Sequence, residues 1–267
     1  FYQLRKKEQE PEKLRASWVR AHAIEIRNLV KLYSKSGFPK ELIKDIFFGL
    51  TEILRYTSMV TLSAGLKEIK DMQDEIDTFK AALYSEDINE DQFIEVDITT
   101  ILEKVFTALD EFSREKQTEI RKINWQNKII VNGEERELYT ALYNVVHNAI
   151  KYSWSKPGEK IPYISIEPEI IHDKVQIKVE NRGVAVRKEE LVGNPPKIFQ
   201  FSYRGAKSFD RERKGSGVGL WHARKIIRQH KGNIVITSDP INRNITPINY
   251  DQPFITTVTI ILPLKSY

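Results

Sequence analysis

Apolar positions in the first third of the chain recur at helical spacing. Val19, Ala23, Ile26, Val30 and Tyr33 follow at intervals of 4, 3, 4 and 3 within a stretch, 12–34, that holds neither Gly nor Pro. That pattern predicts a helix with a narrow, heptad-like stripe. Ser36-Gly37-Phe38-Pro39 punctuates it, Gly suiting a helix C-terminus and Pro the first turn of the next helix. Ile43, Ile46, Leu50, Ile53 and Val60 carry a second stripe. Past Gly65, Leu66, Ile69, Met72, Ile76, Phe79 and Leu83 carry a third. Stripes this narrow bury little alone, and the simplest partner is a second copy of the same hairpin, giving a dimeric four-helix bundle.

An acidic linker, Ser85 to Asp91, ends this region, and the period then changes. Phe93–Val96 reads as a short strand leading into a helix at 98–116, and Lys128–Val131 as another strand. Residues 134–152 form an amphipathic helix, and Tyr163–Ile171 and Lys174–Glu180 alternate as a hairpin around His172-Asp173. Residues 183–215 look loop-like, Gly219–His230 helical, and Asn233–Thr237 and Thr256–Leu264 extended, with Asp239–Pro253 an exposed loop. Helices and strands mix without strict alternation. The expected class is therefore α+β: a helical dimerisation domain over 1–90, then an α/β sandwich over 91–267.

Composition narrows the chemistry. The 267 residues include no cysteine, which removes disulfides, thiolate metal sites and thiol nucleophiles. Lys plus Arg exceed Asp plus Glu by 42 to 37. That mild excess suits a nucleotide phosphate, and with no finger or aromatic–basic motif nucleic acid is not an expected partner. No apolar run approaches the ~18 residues of a membrane span. The chain opens on Phe1 rather than methionine; it is expected to be a cytoplasmic piece of a longer protein, with room upstream for a membrane anchor or sensor domain.

Four features in the second domain converge on phosphate chemistry. Gly215-Ser216-Gly217-Val218-Gly219-Leu220 alternates glycines straight into a helix, where backbone can approach a ligand closely and helix-terminal amides favour an anion. Asn144, Asn148 and Lys151 lie at i, i+4 and i+7. One helix face thus carries two amides and an ammonium, a set suited to a metal–phosphate complex because Mg²⁺ takes oxygen ligands and Lys offers a point charge. The others are a strand ending in a turn, Val179-Glu180-Asn181-Arg182-Gly183-Val184-Ala185, and an aromatic run closed by an arginine, Phe199-Gln200-Phe201-Ser202-Tyr203-Arg204.

In order and spacing, residues 134–264 resemble the ATP-binding domain of sensor histidine kinases, within the superfamily shared with gyrase, the Hsp90 chaperones and MutL. Val96-Asp97-Ile98 also stands where that family usually opens with Val-Asp-Leu. The resemblance implies ATP and Mg²⁺ as cofactors. It makes Asn148 the Mg²⁺ ligand and Asn144 its partner near the phosphates, with Lys151 reaching phosphate oxygens and Tyr152 beside the base. Gly215, Gly217, Val218, Gly219 and Leu220 become the triphosphate loop, and Arg204 a lid arginine near the γ-phosphate. It also implies a homodimer that phosphorylates one of its histidines and passes the group to a response-regulator aspartate. The first glycine box departs from the usual Asp-x-Gly-x-Gly: Asn181 stands for the aspartate that meets the adenine amino group, and Ala185 for the last glycine after Gly183. The Asn181 carbonyl still accepts a hydrogen bond, without charge assistance.

His22 is the one histidine in the helical third. Glu25-Ile26-Arg27-Asn28 copies the end of the family's phosphoacceptor motif, but Ile24 occupies the histidine's place, and His22 lies two residues earlier, about 200° around a helix. Two readings stand. In one, His22 is the acceptor and Glu25, at i+3, takes its proton. In the other, His22 is an ordinary interfacial histidine and the protein a degenerate pseudokinase, a dimeric nucleotide-sensing scaffold.

Overall fold

The computed structural model describes residues 90–125, 127–156, 158, 161–201, 203–205, 217–241 and 248–265. The expected N-terminal hairpins and their bundle, His22, Glu25 and Gly215 lie outside the described residues.

A short strand, β1 (Ile94–Asp97), runs into helix α1 (Ile98–Glu115). Asp97 makes that corner. Its Oδ1 accepts from the Thr99 N–H (3.0 Å) and the Ile129 N–H (3.2 Å), while Oδ2 accepts from the Thr100 hydroxyl. One carboxylate thus caps the helix and ties down the lead-in to β3 (Ile130–Gly133), which pairs antiparallel with β1. Helix α2 (Glu135–Tyr152) follows, and α3 (Gly219–Gln229) completes the helical layer.

Beneath the helices lies a five-stranded mixed sheet in the order β2-β4-β5-β7-β6. Its strands are β2 (Glu119–Lys122), β4 (Tyr163–Ile171), β5 (Lys174–Gly183), β6 (Asn233–Pro240) and β7 (Phe254–Pro263). Only β2 runs parallel to its neighbour, β4. Registered pairs Val175–Leu262, Ile177–Ile260 and Val179–Val258 line one face of the central strands, and all six are buried. They meet Leu102 and Val105 of α1, Leu142 and Val146 of α2, and Ala223, Ile226 and Ile227 of α3 in one core. The alternation that predicted the hairpin is thus the alternation between helix-covered and open faces. The turn is His172-Asp173, with His172 at φ 55°.

Three expectations change. β2 is a strand the pattern missed, because Glu119, Arg121 and Lys122 on an exposed edge carry no apolar alternation; Arg121 instead lies 4.0 Å over the Tyr163 ring. β5 continues to Gly183 rather than ending at Glu180. β6 continues to Pro240, so Asp239 belongs to the strand and not to the expected loop. Among the described residues no helix is long and apolar enough to cross a membrane.

Candidate functional site

Helix α2 carries the amide face. Glu134 caps its start by accepting from the Arg136 and Glu137 N–H groups (3.2 and 2.6 Å). Leu138, Leu142, Val145 and Ala149 bury one side, while Asn144, Asn148 and Lys151 are half-buried along its margin. The far end is clamped to β5. The Val184 N–H donates to the Tyr152 carbonyl (2.9 Å), and the Trp154 N–H to the Arg182 carbonyl (3.0 Å). A Cβ on Gly183 would lie 2.0 Å from the Tyr152 carbonyl oxygen, so only glycine permits this approach. The clamp joins the Tyr152 end of α2 to Arg182–Val184 at the end of β5. The Lys151 ammonium lies 5.9 Å from the Tyr152 ring centre.

The sheet beneath this clamp is polar where the rest of its covered face is apolar. Asn181 is 5% exposed, and its Nδ2 finds no hydrogen-bond partner. Thr256, 6% exposed, sits opposite it in register on β7, and Ser238 pairs with Thr256 from β6. The Ser238 and Thr256 hydroxyls are 2.8 Å apart, and Ser238 also accepts from the Val186 N–H (3.0 Å). Thr256 and Ser238 were not singled out in the sequence. Their signal is the register that sets them beside Asn181, which only strand pairing reveals.

Helix α3 brings the described glycines of the Gly215–Leu220 run, Gly217 and Gly219, to α2. Gly217 adopts φ 72°, a conformation that suits glycine. Val218 is buried, Leu220 packs against the core, and no side chain caps the helix start. A Cβ on Gly219 would stand 3.6 Å from the Asn144 Oδ1, so the first turn of α3 faces the amide row of α2 directly.

The segment that leads into Arg204 is anchored through Glu190 and Tyr203. Glu190, 3% exposed, accepts from the Arg187 N–H (2.8 Å) and the Tyr203 hydroxyl (3.2 Å). Burial first, then the Glu190 charge, push the Tyr203 phenol up. Phe199 is buried, and Phe201 meets Trp221 of α3 edge-on at 5.0 Å. The aromatic box is thus an anchor on both sides, and Arg204, half-buried, follows directly from Tyr203. Glu190 too escaped notice in the sequence, where an acid in a charged stretch, Lys188-Glu189-Glu190, resembles a solvated one.

Three histidines flank the helices, and burial lowers the pKa of each. His147 stacks between Phe112 (4.6 Å) and Tyr143 (5.8 Å); burial, then Lys151 and Lys116, take it down to about 4. Burial and Lys225 take His222 to about 4 as well. His230 Nδ1 donates to the Ile226 carbonyl (2.8 Å), and its Nε2 accepts from the Glu134 N–H (3.0 Å). That pair of bonds fixes one neutral tautomer.

The described residues hold no cluster of three or more His, Asp or Glu side chains able to seat a metal ion. The Asn148 side-chain oxygen, half-buried on the margin of α2, is an oxygen donor of the kind a Mg²⁺ ion would take. An orphaned amide in the floor, a glycine wall against Asn144 and a lysine one turn past Asn148 together fit a purine nucleotide and its phosphates.

Comparisons with known proteins give the family and the fold. A family model described as "Histidine kinase-, DNA gyrase B-, and HSP90-like ATPase" matches residues 133–266, half of the chain. The sensor histidine kinase CusS of Escherichia coli (strain K12) is 32% identical over 136 residues, 51% of this chain and 26% of that protein. The sensor-like histidine kinase SenX3 of Mycobacterium bovis is 29% identical over 146 residues, 55% of this chain and 33% of that protein. The matched segment therefore spans a quarter to a third of those relatives' lengths. Among solved structures, a mycobacterial sensor histidine kinase, MprB, superposes with a TM-score of 0.51 at 22% identity, over 65% of this chain and all of that one. Full-length ShkA in complex with AMPPNP gives 0.56 at 15% identity, over 85% of this chain and 45% of that one. At these identities the structural likeness is one of fold.

Proposed function

The chain belongs to the family of histidine kinase-, DNA gyrase B- and HSP90-like ATPases, and on that premise we propose that it binds ATP–Mg²⁺ and transfers the γ-phosphoryl group to a histidine. The group then passes to an aspartate of a response regulator; that the similar proteins CusS and SenX3 are sensor histidine kinases supports this step. The observation that supports the reading is the junction of α2 with β5 and α3: Gly219 stands against Asn144, Gly183 against the Tyr152 carbonyl, and the Asn181 amide is buried with its Nδ2 unpartnered.

In this reading the Asn148 side-chain oxygen ligates Mg²⁺, and Asn144 and Lys151 hold phosphate oxygens. The backbone of Gly215, Gly217, Val218, Gly219 and Leu220 wraps the triphosphate, Tyr152 and Asn181 hold the base, and Arg204 approaches the γ-phosphate. Bound Mg²⁺ supplies charge neutralisation on the phosphates. What this chain contributes is positioning and fixed dipoles. An amide at Asn144 cannot accept a proton, so water attack lacks a base at that position and transfer to an imidazole is favoured. His22 is the proposed acceptor and Glu25 its proton acceptor, on a helix that pairs two copies of the chain. The parent protein is proposed to extend upstream into a sensor, attached to a membrane, with this core on the cytoplasmic side.

Incubation with γ-labelled ATP tests the reading. Acid-labile label on the wild type that disappears in His22→Gln is the expected result; label that persists in the variant moves the acceptor elsewhere. The uncharged Asn181 amide favours a second reading, a nucleotide-sensing scaffold without transfer, and a protein that binds ATP yet takes up no label selects it. A further expected result separates site from stability. Gly219→Ala places its methyl group at ordinary contact distance, 3.6 Å from the Asn144 Oδ1. It therefore shifts Tm by only about 2 °C yet weakens Mg–ATP binding by roughly tenfold or more, read by calorimetric titration. Unchanged affinity removes the α3 N-terminus from the site.

A further inference from the structure

The floor of the site contains groups that do not commit to donating or accepting. On the buried face around Asn181 the neighbours in the sheet are Val179, Ile164 and Val258, all apolar. Into this surface project one carboxamide, with Nδ2 unpartnered, and one hydroxyl, Thr256, in register beside it. A buried amide without a partner is costly unless a ligand satisfies it. The hydroxyl chain has the same freedom. Ser238 accepts from the Val186 N–H and has one proton to give. When it gives that proton to Thr256, the Thr256 hydroxyl keeps its own proton for a ligand.

Adenine offers a 6-amino donor beside an N1 acceptor; a 6-oxopurine offers the reverse, a 6-oxo acceptor beside an N1–H donor. A carboxylate in this floor accepts only. It pairs with the 6-amino group and repels the 6-oxo group. A carboxamide presents one acceptor and one donor side by side, and a half-turn about its Cβ–Cγ bond exchanges them with almost no change of shape. Thr256 matches either orientation by rotating its hydroxyl. We infer that Asn181 and Thr256 make this site accept 6-oxopurine nucleoside triphosphates as well as ATP. The inference rests on the nucleotide-site reading above and concerns which base that site takes.

Calorimetric titration of the protein with Mg–ATP and with Mg–inosine triphosphate, which differ only at the 6-position and N1, provides the test. The expected result is two dissociation constants within about fivefold of each other in the wild type, and a preference for ATP of about tenfold or more in Asn181→Asp. If the buried carboxylate prevents that variant from folding, Asn181→Ala serves instead: it weakens both nucleotides by a similar factor and leaves their ratio near one. A wild-type preference for ATP well beyond about fivefold overturns the inference while leaving the nucleotide site intact. An equal preference that Asn181→Asp does not alter, or that Asn181→Ala leaves at full strength for both nucleotides, overturns the role of Asn181. Heat from neither nucleotide overturns the nucleotide-site reading itself, and this inference with it.

Discussion

Gly183→Ala is expected to lower stability by about 3 kcal/mol, seen as a fall in Tm of roughly 6–12 °C for a domain of this size. The added methyl carbon meets backbone on every near side: the Tyr152 carbonyl oxygen at 2.0 Å and the Ser153 Cα at 2.8 Å. Side chains can rotate away from an intruder; a helix end hydrogen-bonded to Val184 cannot do so without breaking that bond. The displaced segment carries Asn148, Lys151 and Tyr152, so nucleotide binding is expected to fail together with stability. A thermal melt and an Mg–ATP titration on the same sample check both. A variant that melts like the wild type contradicts the close approach of α2 to β5.

Acid is expected to have the second large effect. His147 and His222 have folded pKa values depressed from 6.5 to about 4, and burial lowers His230 in the same direction. A depressed histidine is neutral in the fold, while the unfolded chain takes up its proton first. Its contribution is complete above pH 6.5, declines as pH falls towards about 4, and is then gone. Within that window each of His147 and His222 costs about 1.4 kcal/mol per pH unit. Glu137, whose carboxyl is pushed up by burial and by Glu134, acts in the opposite sense and offsets part of the loss. Urea midpoints measured between pH 7 and 5 are therefore expected to drop steeply. His147→Phe keeps a ring between Phe112 and Tyr143 and should flatten the slope; a slope unchanged in that variant contradicts the assignment.

What the chain discloses before folding depends on how local the physics is. Helices α1 and α2 lie within a residue of their expected ends, because a wide apolar face and capping carboxylates at Asp97 and Glu134 are contained in their own segments. The hairpin of β4 and β5 was equally plain, since alternation over nine or ten residues has one explanation. β2 was invisible: it is four residues long, exposed, and paired to a strand some forty positions away. At the site, amides at i and i+4 and alternating glycines are legible because they share one element. Thr256, Ser238 and Glu190 are not. Each matters through a neighbour brought by sheet register or by a turn, and an isolated threonine or glutamate in a polar context carries no mark of burial.

The bond from the Glu134 N–H to His230 joins residues 96 positions apart and fastens the start of α2 to the end of α3. At the opposite end of α3, Gly219 faces Asn144 in the middle of α2. The two helices therefore resemble tongs with a pinned joint and a pair of working tips. Eleven residues make an arm of about 16 Å, so a swing of only about 5° at the joint carries the tip by roughly 1.4 Å, more than the tolerance of a hydrogen bond. A change at His230 is thus felt as a changed grip at Gly219, eleven residues away along α3.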